Sequence, residues 1–130
     1  MILLDTHVWW WILSEPERVS AKVHEVIQNT RPKERAIASI SIWEFAMMAS
    51  RGRIQLSISP KKWIDYAVNK TGLRVLELNG KIAVESCNLP GDFNKDPADR
   101  IIVATARIHK ATLITKDQKM IDYTEVNTIW

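Results

Sequence analysis

Short apolar runs, each too brief to be more than a strand, alternate with longer segments of helical period from one end of the chain to the other. That alternation points to an α/β domain with a mainly parallel sheet, because parallel strands need a crossover, usually a helix, between them. Ile2-Leu3-Leu4 reads as the first strand, residues 35–39 as the second, 73–78 as the third and 112–115 as the fourth, and 126–129 can supply a terminal fifth. Helices are predicted over 8–13 and over 20–28, where Val19, Val23, Val26 and Ile27 keep helical spacing. A third covers 42–50 and stops at Gly52; Pro60 opens the next, which carries Trp63, Ile64, Ala67 and Val68 and closes at Gly72. Residues 82–87 and 97–110 continue the pattern, with a helical turn near 118–123. The expected architecture is a three-layer α/β/α fold around a mainly parallel sheet of four to five strands. No repeat, low-complexity tract or linker interrupts it, so residues 1–130 read as one domain, long enough at 46% hydrophobic to bury a sizeable core.

Composition narrows the function classes. Eighteen Lys and Arg against 15 Asp and Glu leave a net charge of +3, a mild lean toward polyanions without a concentrated basic stripe. Cys87 is the single cysteine, which excludes an intrachain disulfide and a thiolate zinc cluster and suits a reducing, cytoplasmic setting. The opening apolar run stops at Asp5, and the next is far short of the roughly 20 residues that span a bilayer, so neither a signal peptide nor a membrane helix is expected.

Ligand sites in open α/β sheets gather beyond the carboxyl ends of the strands, which directs attention to the acids just after apolar runs. Asp5 follows the first strand and also suits the N-cap of the next helix. Glu44 closes a Ser41-Ile42-Trp43-Glu44 capping-box pattern, yet the residues after it are apolar and a carboxylate in such a helix needs a partner. In Asp96-Pro97-Ala98-Asp99, Asp96 reads as the cap and Pro97 as the first helical residue. Asp99 shares a face with Ile102, Val103 and Ala106 and so belongs at the rim of the core. Asp117 follows the fourth strand and has the plain alternative of an exposed turn residue.

Each acid has its own structural explanation, whereas one functional explanation covers them all. Carboxylates converging at one sheet edge repel one another, and divalent cations relieve that conflict. Mg²⁺ or Mn²⁺ prefers oxygen ligands, so Asp5, Glu44, Asp99 and Asp117 suit it better than they suit zinc. Such an ion activates water and neutralises a phosphodiester under attack, which makes nucleic-acid hydrolysis the natural reaction. Thr6 and Thr115 carry hydroxyls beside the acids that can orient a water or a phosphate.

Four blocks, Leu3-Leu4-Asp5-Thr6-His7, Ser41-Ile42-Trp43-Glu44, the run from Asp96-Pro97-Ala98-Asp99 through Ala106, and Leu113-Ile114-Thr115-Lys116-Asp117, stand in the order and spacing of a VapC-like PIN domain. The chain resembles that family over nearly its whole length. The resemblance implies a metal-dependent endoribonuclease, the toxin of a toxin–antitoxin pair, with Asp5, Glu44, Asp99 and Asp117 as catalytic and metal-binding residues and Asp96 as an auxiliary acid. It further implies Mg²⁺ or Mn²⁺, an RNA substrate such as tRNA or rRNA, homodimerisation, and a small antitoxin protein whose tail enters the acidic groove. Two departures stand out: Asn94 where relatives often have His, and Ala98 where Phe is frequent.

Other features have a place in this reading. Trp9, Trp10 and Trp11 are consecutive, and neighbours on a helix turn by about 100° per residue, so at least one is expected to be exposed or covered by a partner. Trp10 and Trp11 are thus candidates for a dimer or antitoxin interface. Lys95, Arg100, Lys116 and Lys119 flank the acidic blocks and are candidates for RNA phosphates. His7, His24 and His109 lack metal-ligand spacing. Two alternatives remain at this stage: a PIN-type RNA-processing nuclease without a toxin role, and a non-catalytic receiver-like α/β module. The latter wants an aspartate after a middle strand, which Leu76-Glu77-Leu78 does not supply.

Overall fold

The computed structural model describes residues 1–130. Five strands, β1 (Ile2–Leu4), β2 (Arg35–Ala38), β3 (Arg74–Leu76), β4 (Thr112–Ile114) and β5 (Thr128–Ile129), form one sheet in the order β3-β2-β1-β4-β5. Every pairing is parallel, with Leu3 in register with Ala36 on one side and Leu113 on the other. The crossovers are α1 (Thr6–Ser14), α2 (Ala21–Asn29), α3 (Ser39–Ser50), α4 (Pro60–Asp65), α5 (Gly80–Cys87), α6 (Pro97–His109) and α7 (Gln118–Ile121). A π-helical turn, Tyr66–Lys70, prolongs α4. None of these helices is long and apolar enough to cross a membrane.

Beyond Arg35 and Thr112, which open β2 and β4, the central strands are apolar because both sheet faces are covered. Leu3, Ala36 and Leu113 point to one face and pack with Ile82 of α5, Ile102, Val103 and Ala106 of α6 and Met120 of α7. Their neighbours Ile2, Leu4, Ile37 and Ile114 point to the other and pack with Val8 and Trp9 of α1, Val23 of α2, Phe45 of α3 and Trp63 of α4. The chain builds outward from β1 to β2 and β3, then returns to place β4 on the other side of β1. That reversal opens a crevice beyond the carboxyl ends of β1 and β4.

Two local expectations need correcting. Helix α3 begins at Ser39 with Ala38 at its N-cap and no side-chain capping bond, so Ser41 lies within the helix and the capping box does not form. β2 runs straight into this helix, and the Ser39 hydroxyl accepts instead from the backbone N–H of Leu78, beyond β3. The expectation that a tryptophan of α1 faces solvent or a partner is also overturned: Trp9, Trp10 and Trp11 are 1%, 7% and 8% exposed. Trp9 and Trp10 abut Phe45 and Trp63, which stack on each other at 4.1 Å. Trp11 points elsewhere, edge-on to Trp130 after β5, with the Arg18 guanidinium 4.4 Å from its ring centre. The helix is enclosed on more than one side, which its own periodicity does not reveal.

Candidate active site

The crevice is framed by groups that the sheet itself positions. Asp5 leaves β1 and caps α1: its Oδ1 accepts from the Thr6 N–H at 2.8 Å and its own N–H bonds the Ile114 carbonyl of β4 at 3.0 Å. Its other oxygen, Oδ2, accepts from the Thr115 hydroxyl at 2.7 Å. Both carboxylate oxygens are thus fixed, and the residue is only 7% exposed. Thr115 in turn accepts from the Asp117 N–H at 3.0 Å, which holds Asp117 at the carboxyl end of β4 as the cap of α7.

Helices α3 and α6 supply the remaining acids. Glu44 is half-buried on α3, where its Oε1 accepts from the Thr6 hydroxyl at 2.7 Å, and Ser41 Oγ lies 2.9 Å from that same hydroxyl. Asp99 is half-buried in the first turn of α6 and accepts from Asn94 Nδ2 at 2.6 Å. Asp96 is the N-cap of α6, accepting from the Asp99 N–H at 3.0 Å. Carboxylate oxygens of Glu44, Asp96 and Asp99 all lie within 4.8 Å of one another. Asp5, Glu44, Asp99 and Asp117 line one cavity of about 540 Å³, which Arg18, Lys116, His7 and Trp11 complete.

None of these acids forms a salt bridge, and Asp5, Glu44 and Asp99 are held less acidic than usual. Burial pushes Asp5 up, partly offset by the hydrogen bonds from Thr115 and Thr6. Glu44 is raised for the same reason, with a smaller push from Asp5 and Asp96. Asp99 is pushed up to about 7 by burial and then by Asp96, Asp5, Glu44 and Asp117. An all-oxygen set of fixed carboxylates with no salt-bridge partner is the donor chemistry of a hard divalent cation. The residues present fit such an ion.

The remaining sequence candidates divide. Lys116 lines the cavity, Lys95 is exposed in the loop before α6, and Lys119 opens onto a separate surface cavity beside Pro90 and Asp122. Arg100 departs from its expected role. Its Nε donates to the Ser86 carbonyl at 2.8 Å, and its Nη1 reaches the carbonyls of Phe93 and Asn94 at 3.3 and 3.2 Å. The guanidinium is therefore committed to the loop that carries Asn94 onto Asp99. Sequence reading missed three participants: Ser41 beside Thr6, Asn94 as the donor to Asp99, and Arg18 at the cavity wall. Asn94 had a signal in its closeness to the Asp-Pro pair; Arg18, between a proline turn and α2, had none.

Residues 2–126 match the family described as PIN domain, and the chain belongs to that family, whose nucleases use divalent metal ions. It is homologous to VapC ribonucleases: 119 residues are 37% identical to Ribonuclease VapC22 of Mycobacterium tuberculosis, covering 92% of this chain and 88% of that one. The fold also matches a toxin-antitoxin complex from Klebsiella pneumoniae at TM-score 0.72 and 19% identity, over 100% of this chain and 97% of the other. A DNA-bound VapBC structure from Salmonella typhimurium matches at TM-score 0.72 and 16% identity, over 99% and 98% of the two chains.

Proposed function

We propose that this chain is a Mg²⁺- or Mn²⁺-dependent endoribonuclease, the toxin of a toxin–antitoxin pair, acting in the cytoplasm on RNA such as tRNA or rRNA. The observation that carries the reading is the convergence of Asp5, Glu44, Asp99 and Asp117 on one cavity, none of them in a salt bridge. Homology to a VapC ribonuclease over 92% of the chain supports it. In this reading those four carboxylates hold the metal and Asp96 assists from the rim. The bound ion supplies charge neutralisation at the scissile phosphate and makes water more acidic.

The chain's own residues do the rest. Thr115 and the Thr6 N–H lock the Asp5 carboxylate, while the Thr6 hydroxyl and Asn94 orient Glu44 and Asp99, so the set is arranged before substrate arrives. A water oxygen bonds to phosphorus as one phosphoester bond breaks; the proton lost by water passes to a carboxylate, and the leaving oxygen takes a proton from solvent. A small antitoxin protein is the proposed partner at the acidic cavity, and a homodimer the proposed assembly.

The test is cleavage of defined tRNA and rRNA fragments with Mg²⁺ or Mn²⁺, with chelator, and with Asp5→Asn and Asp99→Asn prepared identically. Site-specific cuts that vanish in both variants and in chelator are expected. Equal cutting by wild type and variants would overturn the reading.

A further inference from the structure

We propose that Arg18, held over the ring of Trp11 at the wall of the acidic cavity, grips a phosphate of the RNA strand next to the one being cut, with Lys116 on Trp130 as its second rung. The inference rests on the ribonuclease reading and names residues that position the substrate. A cavity lined by four carboxylates repels a polyanion, so a strand entering it needs cations fixed at its wall. Among the residues lining that cavity, Arg18 and Lys116 are the permanently charged bases.

Both are held in the same way. The Arg18 guanidinium carbon lies 4.4 Å from the centre of the Trp11 ring, and Lys116 Nζ lies 5.8 Å from that of Trp130. The two rings meet edge-on at 6.2 Å, which gives a continuous ladder: cation, ring, ring, cation. A flexible side chain held on a buried ring loses less freedom when it binds. Contact with the ring leaves Nε and Nη2 without a protein acceptor and so available to a phosphate. Arg18 spends only Nη1 on a protein partner, a 3.4 Å contact with Glu15, and its side chain is 52% exposed.

Location supplies the second reason. Arg18 also lines a larger groove of about 1030 Å³ that shares His7, Trp11 and Glu44 with the acidic cavity. It therefore stands where the two spaces meet, on the path of a strand that crosses from one to the other. Loss of Arg18 removes a neighbouring phosphate contact and leaves the carboxylates in place.

The experiment uses Asp99→Asn protein, expected to bind without cutting, with Mn²⁺ and a labelled single-stranded RNA oligonucleotide of mixed sequence, titrated across a range of salt concentrations. Each lost phosphate contact lowers the slope of log affinity against log salt by about 0.7. Arg18→Gln is expected to show that drop and to weaken binding about fivefold at low salt, with thermal stability unchanged. Lys116→Gln is expected to remove a second increment. Arg18→Lys should keep the slope and still bind less tightly, because the planar fork is gone. Lys33→Gln, before the amino end of β2, should change nothing. An unchanged slope in Arg18→Gln, or an equal loss in Lys33→Gln, overturns the inference and leaves the ribonuclease reading standing. Failure of the parent protein to bind RNA at all overturns both.

Discussion

Thr115 is fully buried, and its hydroxyl both donates to Asp5 and accepts from the Asp117 N–H, so one side chain holds two acids of the site. Thr115→Val keeps the shape and removes both bonds. Activity is expected to fall about 10- to 100-fold, as for outer partners of metal ligands, and stability by about 1–3 kcal/mol, with Thr115→Ser restoring much of each. Arg100→Ala should act through position rather than charge: it frees the Asn94 loop, so kcat falls while the salt dependence of RNA binding is unchanged. Asp99 sets the pH behaviour. Its carboxyl holds a proton up to about pH 7 in the fold against 3.8 ordinarily, so the folded state binds that proton more tightly than the unfolded chain does. Without metal, stability should therefore fall as pH rises from about 4 through about 7. Asp99→Asn should flatten that decline in thermal melts, and Mn²⁺ should raise the wild-type melting temperature more at about pH 8 than at about pH 5. A decline equally steep in the variant would assign it to other groups.

Helix α6 shows how an element serves two ends at once. Its Asp96 cap, Pro97 start and apolar face were readable in sequence because each is a local signal, and the helix runs Pro97–His109 as the pattern demands, ending in a left-handed Lys110. Asp96 also lies within 4.8 Å of Glu44 and Asp99, so capping and charge can be separated by substitution. Asp96→Ala should cost about 1 kcal/mol in stability, and Asp96→Ser should recover it. If Asp96 assists the metal, Asp96→Ser will still bind Mn²⁺ less tightly by calorimetry; full recovery of affinity would reduce Asp96 to a cap. What sequence could not give was whatever another element decides. The spacing of Ser41 and Glu44 was right for a capping box, but β2 feeds directly into α3 and both side chains turn to Thr6 instead. The three tryptophans of α1 could not be placed from its own period, since Trp63, Arg18 and Trp130 come from three other places in the chain.

At the level of the whole molecule, the order β3-β2-β1-β4-β5 makes the acidic crevice a property of topology, and this much was legible: acids after the first and fourth strands were expected to meet. β5 is the shortest strand, yet Trp130 just beyond it covers Trp11 and lies beneath Lys116. Trp130→Ala should uncover Trp11, shift tryptophan emission to longer wavelength and lower the melting temperature by several degrees, at roughly 1–3 kcal/mol for a half-buried ring. Emission and melting unchanged from wild type would show that the terminal ring is not a lid on α1. The position of β1 matters in a further way. Asp5 and the Thr115 hydroxyl that ties it are 110 residues apart in the chain, and they meet only because β1 and β4 pair. The acidic crevice therefore exists only in a chain whose sheet has closed, and an unclosed chain has nothing with which to hold a metal ion.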